Sequence, residues 1–245
     1  MKVLAVDSSA VTASAALAED GKILAEFFQN NGLTHSQTLM PMVKAVLDFT
    51  GTDVRGIDLF AVTNGPGSYT GVRIGTSAVK GMAGVCGKPC VGVSTLLAAA
   101  HNLSDRDGVI CAAMDARCGQ VYTASFLSDG KNIERLTDDD AIPISELGGL
   151  LDELTKKFKK NVIFVGDGAK ICYTNLSELL PDAAIASEQL RYQRTSGVLS
   201  AVFGHELYRQ AVRAEELTAV YLRPSQAERE RMAKDTEQES KNGYA

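Results

Sequence analysis

The chain carries one structural plan twice, and a duplicated plan leaves few folds open to it. In the first copy, Val3 to Ser9 is an apolar strand that ends in an acid, Asp7. An alternating stretch from Thr12 to Ala18 and the turn Asp20-Gly21-Lys22 follow. In the second, Ile110 to Arg117 is again an apolar strand that ends in an acid, Asp115. Gly119 to Phe126 alternates, and Asp129-Gly130-Lys131 turns. The two acids stand 108 positions apart and the two turn aspartates 109. The copies stay in step through a second hairpin strand (22–28; 132–136), a helix (36–50; 145–160) and a buried strand that runs into glycines. Those strands are 57–64 before Gly65-Pro66-Gly67 and 161–165 before Gly166-Asp167-Gly168.

Asp-Gly between alternating apolar runs is a hairpin signal, and strand-helix-strand order adds parallel neighbours. The expectation is an α/β protein of two lobes, each a mixed sheet flanked by helices, meeting at a cleft. The polar stretch 102–108 divides them near Ser104, giving an N-terminal lobe over 1–104 and a C-terminal lobe over 105–221. A polar tail, ordered or not, covers 222–245. With 45% hydrophobic and 22% charged residues, the chain is neither disordered throughout nor fibrous. Its net charge of −5 leaves no overall basic surface for binding nucleic acid unaided. Arg73 and Lys80 interrupt the most Gly/Ala-rich helix, so no membrane span is expected, and a cytoplasmic protein is. Five cysteines without a Cys-x-x-Cys pair suit reduced thiols.

The paired acids at strand ends support two readings. They end strands and cap turns, or they face a cleft that holds a nucleotide and its metal. The second arrangement resembles the duplicated actin-like and Hsp70-like (ASKHA) ATPase fold. In that resemblance Asp7, Ser8 and Ser9 match the first phosphate loop, Asp115 and Arg117 the second, and Gly166 and Gly168 the adenosine-side turn. The first loop lacks a glycine and the second has only Gly119, so nucleotide binding there would be weak or vestigial.

Gly65 to Gly75, GPGSYTGVRIG, has the look of an anion cradle at a helix start, without the Gly-Lys-Ser/Thr of a Walker A loop. Glycines 71, 75 and 81, with Ala78 and Ala83, strip bulk from one face of the helix 70–85. Each internal glycine costs about 0.5–1 kcal/mol, a cost usually offset by close approach of another backbone. That backbone belongs either to the chain's own sheet or to a helix of another chain. The helix 35–50 bears more apolar surface than one core face needs, and residues 1–104 are neutral, with seven basic and seven acidic side chains. Both features suit a docking surface. His35 stands opposite Leu39 rather than a second histidine, so no metal site is expected. No hydrolase nucleophile signature is present.

GPGSYTGVRIG at 65–75, VLAVDSSAVTASAAL at 3–17, THSQTLMP at 34–41, AAMDARCGQVY at 112–122 and AVYLRP at 219–224 together resemble the TsaB (YeaZ) family over almost the whole chain. The resemblance implies a non-catalytic subunit of the bacterial machinery that installs threonylcarbamoyl on N6 of adenosine 37 (t6A) in tRNAs reading codons that begin with A. It implies docking to the catalytic sister TsaD, an ATPase partner TsaE, a homodimer when alone, and tRNA contact only through the complex. No cofactor of its own is implied, with ATP or ADP confined to the complex. The docking surface expected on this basis comprises His35, Leu39, Met42, Val43 and Val46 of the first helix. From the glycine-rich segment it takes Gly67, Tyr69, Thr70, Gly71, Arg73, Ile74, Gly75, Ala78 and Met82. The rival reading is a stand-alone ATPase or small-molecule kinase acting through Asp7 and Asp115, which would need a positioned base and a competent Mg-phosphate site.

Overall fold

The computed structural model describes residues 1–223. The expected tail over 222–245 therefore lies, from 224 onward, outside the described residues. The first half runs β1 (Lys2–Asp7), β2 (Ala13–Glu19), β3 (Lys22–Gln29), α1 (His35–Thr50), β4 (Leu59–Gly65), α2 (Tyr69–Cys86), β5 (Cys90–Ser94) and α3 (Thr95–His101). The second runs β6 (Asp107–Asp115), β7 (Gln120–Asp129), β8 (Ile133–Arg135), β9 (Asp140–Pro143), α4 (Ile144–Phe158), β10 (Val162–Val165), α5 (Ala169–Leu176), β11 (Ala184–Ile185), α6 (Glu188–Arg191) and α7 (Thr195–Gly204).

The two sheets have one topology. Strand order is β3-β2-β1-β4-β5 in the first and β8-β7-β6-β10-β11 in the second, with β9 pairing β7 beside this path. In each, the hairpin partners are antiparallel and the strand after the helix is parallel to the first strand. This is the duplicated actin-like architecture expected from the repeat. The first Asp-Gly turn places both Asp20 and Gly21 at positive φ, as a type I′ hairpin requires. At the second, Asp129 Oδ1 accepts from the backbone N–H of Lys131 and Asn132, so a side chain completes the turn.

Side-chain alternation sorts the core into layers. Leu4, Val6, Leu17, Phe60 and Val62 face α1 and α2, whereas Val3, Ala5, Ala16, Ala18 and Ala61 face the opposite way. In the second sheet Val109, Cys111 and Phe164 meet α4 and α5, and Ile110, Ala112 and Met114 turn inward. Helices α3 and α7 fill the space between the sheets, so the order is helices, sheet, helix pair, sheet, helices. The inward residues are small, and the helix pair is correspondingly close. A Cβ on Gly197 of α7 would lie 2.2 Å from the carbonyl oxygen of Ala98 in α3.

Residues beyond α7 turn back to the first sheet. Val212 and Cys90 exchange backbone hydrogen bonds, Val220 N–H donates to Asn64, and Lys80 Nζ donates to the carbonyls of Glu215 and Leu217. Much of 195–221, assigned to the C-terminal lobe on sequence grounds, thus packs against the N-terminal one, as does α7 itself, which lies on α3 and the strands of the first sheet. The proposed division near Ser104 falls between α3 and β6.

Candidate functional site

Strands β1, β4, β6 and β10 point their carboxyl ends at one place, the cleft between the lobes, which is where open α/β sheets characteristically bind ligands. A cavity of about 370 Å³ lies there. Ser9, Asp115 and Arg117 line it, while Asp7, Ser8, Gly166 and Gly168 stand behind its walls.

Asp7 is 1% exposed. Its Oδ1 accepts from Ser9 N–H at 2.8 Å, Ser9 Oγ at 2.7 Å and Thr63 Oγ1 at 2.8 Å, bracing the β1–β2 loop internally. Burial pushes its carboxyl above the ordinary value, against those hydrogen bonds and the nearby His35. Ser8 Oγ donates to the carbonyl of Gly71, and Ser68 N–H donates to that of Ser9. His35 Nε2 lies 2.7 Å from the Ala10 carbonyl. The first loop is therefore stitched to the start of α2.

This stitching explains the glycines. A Cβ would come within 2.4 Å of Ser9 O at Gly67, 2.1 Å of Ser8 O at Gly71 and 2.8 Å of Ser8 Oγ at Gly75. The close neighbour is the chain's own loop, which corrects the expectation that Gly67, Gly71 and Gly75 serve a partner helix. Leu39, Val43 and Val46 are corrected likewise. At 1%, 2% and 0% exposed, they are consumed by the core beneath the first sheet.

In the second lobe Asp115 accepts from Arg117 N–H at 2.8 Å, and the Arg117 guanidinium stands 3.5 Å from its other oxygen. Gly166 and Gly168 press on the backbone of Ala113 and Met114, where a Cβ would lie 2.1 and 2.8 Å away. They deliver Asp167 to the cavity between them. Burial pushes the Asp167 carboxyl up to about 6, with Asp115 adding to the rise and a 3.2 Å hydrogen bond from Gln193 Nε2 opposing it.

A magnesium–triphosphate group, implied by the fold class, does not fit these residues. The N–H groups of Ser9, Ala116 and Arg117 are turned to Asp7, Gln120 and Asp115 inside their own loops, and Asp7 lies behind the cavity wall. Phosphate cradles work by aiming such N–H groups outward. Among the described residues, no three His, Cys, Asp or Glu side chains gather as a cation site.

The outer face of α1 and α2 is the second feature. Met40 of α1 and Val85 of α2 are 45% and 85% exposed, and Phe49, half a turn round α1 from Met40 and 5.7 Å from the Phe27 ring of β3, is 80% exposed. Of the expected docking residues, Thr70 and Arg73 are exposed, and His35, Met42, Tyr69, Ile74, Ala78 and Met82 are half-buried. Met40, Met42 and Phe49 lie off the core stripe in the sequence and point to a second face there, but of these only Met42 is among the expected docking residues, and Val85 is not. Also unforeseen is a cluster at the cavity mouth. Tyr69 and Tyr221 stack with ring centroids 4.7 Å apart, and Arg73 lies 4.0 Å above the Tyr69 ring with its Nε donating to Tyr221 Oη. Arg223 Nη1 then donates to Ala116 O in the second lobe at 2.9 Å. No helix among the described residues is long and apolar enough to cross a membrane.

The family model described as "TsaD: tRNA N6-adenosine threonylcarbamoyltransferase" matches residues 22–230. The chain is 34% identical over 170 residues to the tRNA threonylcarbamoyladenosine biosynthesis protein TsaB of Escherichia coli (strain K12), covering 69% of this chain and 72% of that one. To the protein of the same name from Bacillus subtilis (strain 168) it is 29% identical over 228 residues, covering 93% and 96%. The solved structure of YeaZ from Pseudomonas aeruginosa superposes with a TM-score of 0.73 at 27% identity, covering 90% of this chain and 99% of that one.

Proposed function

The chain belongs to the TsaB (YeaZ) family, and from that premise we propose that it is a non-catalytic platform subunit in the cytoplasm for installing threonylcarbamoyl on adenosine 37 of tRNA. It docks the catalytic sister TsaD through the outer face of α1 and α2, and pairs with a second copy of itself when TsaD is absent. TsaE and tRNA join at the level of the assembled complex, and ATP or ADP acts there rather than in this chain's cleft.

The observation that carries the reading is the set of exposed apolar side chains on the two helices, Met40 and Phe49 of α1 and Val85 of α2, on a lobe with no net charge. Fully burying one such side chain stabilises an interface by about 1.5–3 kcal/mol before the costs of association. The closed phosphate loops are compatible with a subunit that leaves the chemistry to its partner.

Light scattering of the chain mixed with TsaD tests the docking. Phe49→Asp and Val85→Asp change exposed positions, so the fold should survive, and each should weaken the complex about tenfold or more. A complex indifferent to both substitutions, or no complex with the native chain, would overturn the reading.

A further inference from the structure

We infer that the interlobe cavity of this chain binds a free α-amino acid, its ammonium held at Asp167 and its carboxylate at Arg223. The inference concerns the isolated chain and stands apart from the docking reading.

Volume comes first. About 370 Å³ lies in the range of small-molecule sites. Charge then narrows the class. Asp115 and Arg117 pair with each other at 3.5 Å, and Asp167 and Arg223 are the acid and base that line the cavity without an ionic partner among the described residues. The acid is Asp167, whose Oδ1 accepts from Gln193, a neutral amide. Burial raises its pKa, and a ligand ammonium beside it would favour the ionised carboxylate. The base is Arg223. One of its five donors reaches Ala116 O, and among the described residues the others have no acceptor and could meet a carboxylate.

The walls agree. Tyr69, Tyr122 and Tyr221 line the cavity, and aromatic faces favour an ammonium over a bare anion. The Tyr69–Tyr221 stack is fixed from outside by Arg73, so that wall is formed before any ligand arrives. A polyanion meets two carboxylates here and no outward phosphate cradle. A simple amine leaves Arg223 unmatched, and a simple acid leaves Asp167 unmatched.

The test is ligand-detected NMR on the full chain with the standard L-amino acids as probes. Any that binds is compared with its decarboxylated amine and its deaminated acid, as L-alanine is with ethylamine and propionate. We expect at least one amino acid to bind with Kd of about 1 mM or tighter, and its two fragments about tenfold or more weakly. Asp167→Asn and Arg223→Ala should each weaken binding about tenfold, with the melting transition confirming that both variants are folded. No binding by any amino acid at about 10 mM would overturn the inference. So would binding that survives both substitutions, or fragments that bind as well as the whole amino acid.

Discussion

Gly71 and Gly81 sit on the same helix and do opposite things. A Cβ on Gly71 would lie 2.1 Å from a backbone carbonyl oxygen, while nothing lies within 4 Å of one on Gly81. Gly71→Ala should therefore cost about 1–3 kcal/mol through overpacking, and Gly81→Ala should be neutral or stabilising by about 0.5–1 kcal/mol. Urea denaturation of the two variants checks the contrast. Equal effects would show that the α2 start and the β1–β2 loop are not in the contact described. The sequence made the glycines visible without saying which served a near neighbour, because composition carries no direction. Asp167 gives a pH prediction. Its folded pKa is raised, so the native state holds its proton more tightly than the unfolded one, and stability falls as pH rises between the ordinary 3.8 and about 6. Asp167→Asn removes that component. The variant should be more stable than the native chain at pH 7 and lose its advantage toward pH 4, as thermal unfolding across that range would reveal.

At the scale of elements, the strands β1–β4, β6–β8 and β10 and the helices α1, α2 and α4 were legible because each combines a periodic pattern with a turn or glycine signal at its end, whereas the short strands β5, β9 and β11 were not. The repeat then fixed which strands are equivalent. Helices α3 and α7 were not legible. Leu96 to Ala100 are buried in a run, as are Val198, Leu199, Ala201 and Val202. A helix enclosed on all sides shows no polar face and so no contrast at a period of 3.6. Yet this pair joins the lobes. Asn102 Nδ2 at the end of α3 donates to the carbonyls of Leu190 and Tyr192, and Thr195 N–H at the start of α7 donates to Ser14 Oγ. Gly197→Leu would force the pair apart at its tightest crossing, where a Cβ already lies 2.2 Å from Ala98 O. The expected result is loss of cooperative unfolding followed by circular dichroism, since both sheets lose their shared layer. A native-like transition would contradict the layered core.

For the whole molecule, the account separates two surfaces. The cleft has the position of a nucleotide site and loops closed on themselves, and the α1/α2 face has no cover within the described residues. The cleft's position was legible from Asp7 and Asp115 at matched strand ends. Its chemistry was not, because whether an N–H turns outward or back into its loop is decided by tertiary contacts such as Ser8 with Gly71. The face was legible as a surplus of apolar residues on α1, but assigning individual side chains to core or surface required the sheet beneath. The most direct measurement is the rate of t6A formation on tRNA by TsaD, TsaE and the threonylcarbamoyl-adenylate synthase, reconstituted with this chain or its variants. The account predicts that formation requires the chain, is lost with Phe49→Asp and Val85→Asp combined, and is retained with Asp115→Ala. Formation abolished by Asp115→Ala and indifferent to the paired face substitutions would place the work in the cleft and contradict the platform.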